Sequence, residues 1–475
     1  MEFHVNLNGR KDLSGEIYRQ LRRAILDGRL RPGDLLPPTR EMARRLSVSR
    51  STVTVAYDRL WGEGLVTSRV GAGTLVSEHL AAASMDGKRP RTVSALRPRP
   101  IWDAVQLPTA FLRSVPFTFL AGLPDASLFP FETWRRLLAD QFRAEVVGSG
   151  IYSEPAGHRG LREAIARHIG ISRGVQASPD DVVITSGTQQ ALDIITRVLL
   201  APGDRAAIED PGYEPPRRLF ASLGARVQGV PVDREGIVVD ALHRATRLAY
   251  VTPSHQQPLG MSMTLSRRLA LLSWAEQHNA AIVEDDYDSE FRYGGRPIEP
   301  LQTLDTSGRV IYVGSFSKTL LPTLRLGFVV TPPSLRVAMH AAKFVTDWHS
   351  SLPLQAALAR FIDDGGFARH IRRMRSVYCA RHELIARILA RDFADLLEVI
   401  PSDVGLHIAA TARTASADEI STVFHRARDA DVLFHRLSAF EVERPAPPGL
   451  VLGYGAIPTD RIEEGLRRLR ASFDG

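Results

Sequence analysis

Apolar residues follow two spacing patterns along the chain, helical near its start and in short continuous runs further on. Leu13, Ile17, Leu21 and Ile25 lie four residues apart in "LSGEIYRQLRRAILDGRL", which predicts an amphipathic helix that ends near Gly28. The "RPGD" that follows predicts a turn. The chain is therefore expected to begin with a helical unit rather than with a sheet.

Two short helices about a tight turn are predicted next, in "TREMARRLSVSRSTVTVAYDRLWGEG". Thr39 is expected to cap the first helix and Ser49 the second, because short hydroxyl side chains accept hydrogen bonds from the free amides at helix starts. The apolar positions expected on the buried sides are Met42, Ala43 and Leu46, then Val53, Tyr57 and Leu60. This succession is the helix-turn-helix plan.

In that plan the second helix enters the DNA major groove by its N-terminal end. The residues offered there are Ser49, Arg50, Ser51 and Thr52. "LVTSRVGAGTLV" then predicts two short strands about a glycine turn, a wing with Arg69 near its tip. A small helical bundle with a hairpin and no DNA partner would explain the same periodicity.

From Phe117 onward, short β-branched apolar runs alternate with helical patterns. The predicted buried strands are "DVVITSG", "RAAIED", "LAYVTPS", "AAIVEDDY" and "RVIYVGSFS", and the helices between them include "TQQALDIITRVLL" and "SRRLALLSWAEQH". Continuous apolar strands separated by helices predict an α/β fold, with a parallel sheet covered on both faces. Ligands bind such sheets beyond the carboxyl ends of the strands, where the polar clusters of this chain fall.

The net charge also differs between the first 100 residues and the remainder of the chain. Of the 475 residues, 44% are hydrophobic and 24% charged, which is typical of a soluble globular protein with two or three domains. Residues 1–100 hold 18 Lys and Arg against 10 Asp and Glu, a net charge of +8; the whole chain is +7, which leaves −1 for the remainder. A polyanion such as DNA is therefore the expected partner of the front segment.

Several classes of protein are not expected. The chain has no apolar run of about 18 residues and no signal-peptide core, so we expect a cytoplasmic protein without a transmembrane helix. Cys379 is the only cysteine, which excludes a disulfide framework and a thiolate metal cluster. Beside Tyr378, this cysteine is expected to be a packed helix residue rather than a nucleophile.

Lys318 is the first candidate for chemistry, because it directly follows the predicted strand "RVIYVG". Lysines are usually solvated surface residues, but Ser315, Ser317 and Arg325 flank this one. Two hydroxyls and a guanidinium suit a phosphate, and the nearby cation favours loss of the lysine proton. A surface ion pair is the alternative interpretation of Arg325.

Pyridoxal phosphate would need such a lysine for its aldehyde, an acid for its pyridine nitrogen, and amides, hydroxyls and a cation for its phosphate. Asp285 and Tyr287, in "IVEDDYDSEFRY", lie on the same side of a strand end and could hold the pyridinium and the ring hydroxyl. Alternatively, the acidic run is a solvated loop or a metal site. No histidine or cysteine cluster supports a metal there, so none is expected.

Two more segments complete the expected pocket. In "VITSGTQQALDII", Gly187 and Thr188 begin a helix whose free amides and dipole favour an anion. In "EDPGYEPPRRLF", the ring of Tyr213 could stack on a flat cofactor, although a core tyrosine is an equal alternative. Each signal alone is weak, but four clusters at strand ends in chain order are strong together.

The segment "LPPTREMARRLSVSRSTVTVAYDRLWGEGLVTSRVGAGTLV" resembles the winged helix of GntR-type transcription regulators. The resemblance implies contacts with DNA phosphates and bases by the matching residues Arg40, Ser49, Arg50, Thr52 and Arg69, with Gly71 and Gly73 in the wing.

The region 117–475 resembles fold-type I aminotransferases, and the whole chain resembles the MocR/GabR subfamily of GntR regulators. The matching motifs are "ITSGTQQALD", "EDPGY", "VTPSHQQPLG", "EDDYDSEFRYGGRP", "GSFSKTLLPTLRLG", "RHIRRMRSVY" and "GLVLGYG". The resemblance implies pyridoxal 5'-phosphate as cofactor, a winged helix-turn-helix domain over residues 1–78 and an aminotransferase-like domain over 117–475. Between them, residues 79–116 are predicted to be a linker, because small, basic and proline residues dominate there and no apolar period persists.

The same resemblance implies a role for each matching residue. Lys318 would form the Schiff base, Asp285 would pair with the pyridinium, Tyr287 would face the ring hydroxyl, and Tyr213 would lie on the ring. The phosphate would be surrounded by Gly187, Thr188, Ser315, Ser317 and Arg325. Tyr152 would reach the phosphate of the neighbouring subunit in a homodimer.

Three departures from the family pattern affect the site. Gln257 stands where many aminotransferases have an asparagine that supports the ring hydroxyl, and "YSEPAG" replaces the usual "YGDPQG". Val451, in "PGLVLGYG", occupies the place of the arginine that commonly binds the substrate carboxylate. Arg217 or Arg436 could substitute for that arginine.

The expected function is a cofactor-dependent transcription regulator that binds a double-stranded operator and senses an effector at Lys318. The effector would be the cofactor itself or an amino compound. The alternative is an active aminotransferase with an accessory DNA-binding domain. A general DNA-packing protein would leave the lysine cluster unexplained.

Overall fold

The computed structural model describes residue 5 and residues 12–69, 73–78, 98–105, 115–143, 151–294 and 299–474. The chain forms two compact units, Met1–Pro98 and Arg99–Gly475. None of the helices in the described ranges is long and apolar enough to cross a membrane. Most of the predicted linker lies outside these ranges, so its boundaries stay predictions.

The first unit contains three helices and three strands within its described residues. They are α1 (Leu13–Leu26), β1 (Leu35–Leu36), α2 (Thr39–Arg45), α3 (Arg50–Gly62), β2 (Val66–Arg69) and β3 (Gly73–Val76). The strands form an antiparallel sheet in the order β1-β3-β2, and the predicted wing is its β2–β3 hairpin. Because β1 is only two residues long, the apolar pattern did not reveal it.

The core of this unit contains the apolar faces that the helical spacing predicts. Ile17, Leu21, Val53 and Leu60 are fully buried in one cluster, which Met42 joins. Apolar burial of this kind stabilises a small helical unit more than helix propensity does.

The two predicted helix caps have opposite outcomes. Ser49 caps α3, since its side chain accepts a hydrogen bond from the backbone of Thr52. The prediction for Thr39 is wrong: Pro38 is the N-cap residue of α2, it makes no side-chain cap hydrogen bond, and Thr39 is the first helical residue. The helix therefore begins one residue earlier than predicted, because Pro38, with its fixed φ and an extended ψ of 144°, takes the N-cap position in place of Thr39.

The second unit has the following elements. Its strands are β4 (Phe117–Thr118), β5 (Val182–Thr185), β6 (Arg205–Asp210), β7 (Arg226–Asp233), β8 (Gly236–Ile237), β9 (Thr246–Val251), β10 (Ala281–Asp286), β11 (Val310–Ser315), β12 (Gly327–Val330), β13 (Leu397–Val399), β14 (His407–Ala412), β15 (Val432–Leu433), β16 (His435–Arg436) and β17 (Gly449–Gly453). Its α-helices are α4 (Phe131–Asp140), α5 (Arg159–Arg173), α6 (Thr188–Leu199), α7 (Pro215–Ser222), α8 (Leu265–Gln277), α9 (Leu301–Leu304), α10 (Arg336–Asp347), α11 (Leu352–Asp363), α12 (Gly366–Asp392), α13 (Ala417–Asp429) and α14 (Ile462–Asp474).

A large sheet has the strand order β5-β12-β11-β10-β9-β6-β7-β8. The five strands predicted from apolar runs all lie in it, and β11, β10, β9, β6 and β7 are parallel neighbours. The five predicted strands all run in the same direction, which confirms the parallel arrangement, but the sheet also contains two antiparallel strands that were not predicted: β12 runs antiparallel to both β11 and β5, and β8 runs antiparallel to β7. Strand β12 returns directly after the short segment 316–326, which is too short for a crossover helix.

A second, antiparallel sheet with the order β13-β14-β17-β16 was not predicted. Its strands come from the last part of the chain, and the short parallel pair β4–β15 stands apart from it. One face of this sheet packs on α12, α13 and α14 through a core that includes Met374, Tyr378, Ile408 and Leu452. Cys379 is half-buried on α12 beside Tyr378, with its thiol 3.4 Å from Glu383.

Candidate functional site

Lys318 lies just beyond the carboxyl end of β11. Its Nζ donates a hydrogen bond of 2.7 Å to the backbone oxygen of Gly122. Gly122 has a φ of +84°, and a Cβ added there would lie 3.3 Å from Nζ, so a glycine gives the amine room. Burial lowers the pKa of Lys318, and the nearby carboxylates of Asp288 and Asp285 oppose that shift. Loss of its proton would make this amine a nucleophile.

Asp285 lies near the carboxyl end of β10, the strand next to β11. Its side chain is buried, and its Oδ2 accepts a hydrogen bond of 2.7 Å from the Tyr250 hydroxyl. Among the described residues, its buried Oδ1 has no hydrogen-bond partner. Burial raises the pKa of Asp285 to about 7. A buried carboxylate oxygen without a donor is costly, so this site fits a protonated ring nitrogen.

Tyr287 and Gln257 meet beside Asp285. The Tyr287 hydroxyl lies within donating distance of Gln257 Oε1, at 3.0 Å, and of the backbone oxygen of His255, at 2.9 Å. Gln257 precedes a cis peptide bond to Pro258. The two residues that the sequence assigned to a ring hydroxyl are therefore in direct contact.

The predicted phosphate residues meet at the start of α6. Gly187 precedes this helix with φ 81° and ψ 177°, a conformation that essentially only glycine adopts. Arg325 Nη2 donates a hydrogen bond of 2.7 Å to the backbone oxygen of Ser186. A Cβ added to Gly187 would lie only 2.9 Å from the same Nη2 atom. Thr188 is the first residue of α6, so free amides and a guanidinium face the same place.

The remaining predicted residues differ in how far they join this cluster. Ser315 Oγ accepts a hydrogen bond of 3.1 Å from the Ser317 amide, so these residues form the turn that leads to Lys318. Tyr213 is half-buried, and burial raises its pKa to about 12, with Asp285 raising and Arg325 lowering it. The Tyr213 hydroxyl is therefore close enough to interact electrostatically with both Asp285 and Arg325.

Tyr152 does not join the cluster within one chain. The residue is 71% exposed, and its ring stacks on that of Trp348 at a centroid distance of 4.3 Å. This exposure leaves the ring available to another molecule.

Val451 is fully buried in the middle of β17. The other buried members of its apolar cluster are Ala121, Leu259, Ala409, Leu437 and Phe440. Of the two arginines considered as substitutes, Arg436 donates a hydrogen bond of 2.7 Å to Ser421 Oγ and lies over the Phe424 ring, while Arg217 is exposed on α7. The surroundings of Val451 are therefore apolar, whereas an arginine at this position would place a positive charge there.

His255, Asp288 and His407 form a buried group that was not predicted, and their ligand-type atoms lie within 4.8 Å of one another. The expectation that no histidine cluster accompanies the acidic segment is therefore wrong. Asp288 belongs to that segment, but the two histidines come from the loop after β9 and from the start of β14. Only the folding of distant segments brings them together, so spacing along the chain carried no signal.

In the first unit, four of the residues assigned to DNA lie at the N-terminal end of α3. Ser49, Arg50 and Ser51 are exposed, Thr52 is half-buried, and Arg40 is exposed on α2. The Ser49 hydroxyl lies 2.7 Å from those of both Ser51 and Thr52, and Arg50 Nε lies 3.4 Å from Thr39 Oγ1. The helix start therefore presents hydroxyls, free amides and guanidinium groups to an anion.

The wing residues are only partly described. Arg69 and Gly73 face each other across the β2–β3 hairpin, and Gly73 has a φ of +89°. Gly71 lies outside the described residues.

Comparisons with known proteins match both units. A family described as bacterial regulatory proteins, gntR family, matches residues 13–76, and one described as aminotransferase class I and II matches residues 123–469. The chain is 40% identical over 472 residues to the probable rhizopine catabolism regulatory protein MocR of Rhizobium meliloti, covering 96% of this chain and 93% of that protein.

Two further similarities cover most of the chain. The HTH-type transcriptional regulator TauR of Rhodobacter capsulatus is 35% identical, over 82% of this chain and 81% of that protein. The solved structure of the alpha-aminoadipate aminotransferase LysN from Thermus thermophilus, complexed with N-(5'-phosphopyridoxyl)-L-leucine, is 30% identical. It superposes with a TM-score of 0.70, covering 79% of this chain and 96% of that chain. Because the match to MocR is nearly full length and both family matches lie within their own units, the chain belongs to the MocR subfamily of GntR-type transcription regulators.

Proposed function

We propose that this protein is a pyridoxal-phosphate-dependent transcription regulator that senses its effector at Lys318 and binds operator DNA with its winged helix. The observation that carries the proposal is Lys318 itself, a partly buried amine beside two buried carboxylates, in a chain that also carries a winged helix. In this proposal the effector reacts at the lysine, and the response is a change in DNA binding by the winged helix.

The pocket offers suitable residues for each functional group of the cofactor. Lys318 would hold the aldehyde carbon, and Oδ1 of Asp285, which no described residue contacts by a hydrogen bond, would accept from the ring nitrogen. Tyr287 and Gln257 would hold the ring hydroxyl, and Tyr213 the ring face. The phosphate would be bound by residues at the start of α6 and by those after β11: Gly187, Thr188, Ser315, Ser317 and Arg325. Bound in this way, the cofactor supplies an electrophile that reacts reversibly with amines.

We propose a homodimer that acts on DNA in the cytoplasm. The exposed Tyr152 supports the dimer, because a partner's phosphate would give its hydroxyl a polar contact that no other described residue gives it. A two-fold protein implies repeated half-sites in the operator. Sedimentation is expected to give a dimer, and a monomer with fully bound cofactor would contradict this.

The effector is proposed to be an amine without a carboxylate, or the cofactor alone. Val451 and the apolar side chains around it support this, because a carboxylate that entered here would lose its water without gaining a cation. An arginine fork is the usual means of binding and orienting a carboxylate, and valine offers neither charge nor hydrogen bond.

Multiple-turnover transamination of common α-amino acids is therefore expected to be absent or very slow. The protein would be incubated with a panel of α-amino acids and an α-keto acid acceptor, and formation of new keto acid would be followed. Many turnovers per chain with any of these amino acids would favour the aminotransferase alternative.

The Arg50→Ala substitution is expected to weaken binding to the operator by roughly 1–3 kcal/mol if Arg50 reads a base edge. The side chain is exposed at the N-terminal end of α3, the end that enters the major groove. Binding would be measured on DNA upstream of the protein's own gene and on random DNA, at several salt concentrations.

Arg23→Ala is the matched control, because Arg23 is also an exposed arginine but lies on α1, where its Nε is 3.5 Å from Asp27 Oδ2. It is expected to change operator affinity little. Equal losses on operator and random DNA for Arg50→Ala would show that Arg50 contacts only phosphate.

A further inference from the structure

His255 and Asp288 form a buried pair next to the proposed ring-hydroxyl site. His255 Nδ1 lies 3.0 Å from both carboxylate oxygens of Asp288, and both side chains are almost fully buried. Burial lowers the pKa of His255 to about 3, so its imidazole is neutral and Nδ1 can act as the donor. Neither residue is needed to hold the cofactor in the proposed function.

On one side, this pair contacts the pocket. The Tyr287 hydroxyl lies 2.9 Å from the backbone oxygen of His255 and 3.2 Å from His255 Nδ1. The same hydroxyl lies 3.0 Å from Gln257 Oε1. Any ligand that repositions the Tyr287 hydroxyl therefore changes the surroundings of the imidazole directly.

On the other side, the pair contacts the segment that enters the second sheet. Asp288 Oδ2 accepts a hydrogen bond of 3.2 Å from the Leu406 amide, and the His407 ring stacks on the His255 ring at 4.3 Å. His407 Nε2 lies 3.0 Å from the backbone oxygen of Pro258. A Cβ on Gly405 would lie 2.0 Å from the His255 ring, so the backbone touches the imidazole there.

Two backbone hydrogen bonds keep the same segments adjacent without the side chains. Tyr293 donates to the oxygen of Asp403 at 2.7 Å, and Gly405 donates to the oxygen of Phe291 at 2.8 Å. The histidine and the aspartate are therefore not required to bring the second sheet near. What they add is a direct connection between Tyr287 and the amide of Leu406.

The geometry suits a hydrogen-bonded network better than a metal ion. A separation of 3.0 Å between nitrogen and oxygen is an ordinary hydrogen-bond length. Two imidazoles stacked face to face do not direct their lone pairs at one point, as the ligands of a tetrahedral metal do. The backbone of Gly405 also fills the space beside the ring.

We propose that His255 and Asp288 are positioning residues that couple occupancy of the cofactor pocket to the segment 403–407 and hence to the second sheet. This inference rests on the proposed function, since it requires a ligand at Tyr287. Coupling of this kind needs a continuous contact path and an element whose state the ligand changes. The path is Gln257–Tyr287–His255–Asp288–Leu406, and the element is the start of β14.

Hydrogen exchange of the full chain, with and without pyridoxal phosphate, tests this coupling. In the wild-type protein, the cofactor is expected to slow amide exchange at two places, the Gly187–Gln190 turn and the segment 403–407. In His255→Gln, the turn is expected to stay protected while the segment 403–407 loses most of the cofactor-dependent slowing, at least fivefold. Asp288→Asn is expected to behave like His255→Gln.

His255→Asn is the matched control, because the amide nitrogen of asparagine takes the place of Nδ1 and restores the donor to Asp288. It is expected to recover much of the protection at 403–407. If the cofactor does not bind, the visible band and the protection at both places are absent, which refutes the proposed function itself.

Two results would overturn the coupling alone. One is a wild-type protein with bound cofactor and no change in exchange at 403–407, which decides the matter even if the variants fold poorly. The other is equal protection at 403–407 in wild-type and His255→Gln proteins. One tightly bound zinc or iron ion per chain would instead assign His255, Asp288 and His407 to a metal site.

Discussion

Lys318→Ala is expected to abolish covalent attachment of pyridoxal phosphate. Nζ of Lys318 lies near Asp285, whose Oδ1 has no hydrogen-bond partner in the described part of the chain and fits the ring nitrogen, and alanine has no amine to replace Nζ. Burial lowers the pKa of this lysine, so a neutral, reactive amine is available closer to neutral pH than on an exposed lysine. The purified wild-type protein is expected to be yellow, and borohydride should fix the cofactor to a peptide that contains Lys318.

The matched control is Lys343→Met, which also removes a buried lysine. Lys343 is fully buried on α10 and pairs with Asp347, so its loss tests whether removing any buried ammonium disturbs the pocket. Lys343→Met is expected to keep the visible band and the borohydride-fixed cofactor, even with reduced thermal stability. A Lys318→Ala protein that keeps the wild-type visible band would show that another group holds the cofactor.

The parts of this site that the sequence predicted are those in which a residue follows a strand directly. Lys318 follows β11, and Asp285 lies at the end of β10. Each of these strands begins with an apolar run, so the run predicts a buried strand and the polar residues that follow it indicate the carboxyl end. Since β10 and β11 are parallel neighbours, both side chains necessarily lie at the same edge of the sheet.

Strand direction and the second sheet were harder to predict. The "GFVV" of β12 is an apolar run like the others, and side-chain patterning is the same whichever way a buried strand runs. The strands of the second sheet are short or pair with segments far away, as Ala409 of β14 does with Val451 of β17. Their partners depend on tertiary packing, which local periodicity does not report.

The His255–Asp288–His407 group illustrates the same limit for polar residues. Asp288 was visible in the acidic run, but His407 lies more than a hundred residues later, at the start of a strand that was not predicted. A sequence argument that counts ligands within a few residues of each other sees one carboxylate and no histidines. The buried arrangement appears only when two sheets meet, because each contributes part of it.

Asp285→Leu is expected to weaken binding of pyridoxal phosphate by roughly 100- to 4,000-fold. Oδ1 of Asp285 is a buried oxygen without a partner among the described residues, which is the position where a protonated ring nitrogen would be neutralised. Leucine would leave that cation buried and unpaired, and breaking a buried pair in this way costs about 3–5 kcal/mol. Affinity would be measured by titrating the cofactor-free protein and following the visible band.

Two further variants separate the role of the charge from that of burial. Asp285→Asn keeps an acceptor for the Tyr250 hydroxyl but presents an amide to the ring nitrogen, so it is expected to bind more tightly than Asp285→Leu and to show a shifted band. Asp286→Asn changes the adjacent buried carboxylate, which pairs with Arg173 at 2.9 Å and with the Tyr312 hydroxyl at 2.6 Å. Successive side chains of a strand point to opposite faces, so Asp286→Asn should lower stability and leave the affinity for the cofactor within a few fold. Equal loss of affinity in the variants at 285 and 286 would mean that general destabilisation, rather than a contact with the ring nitrogen, explains the effect.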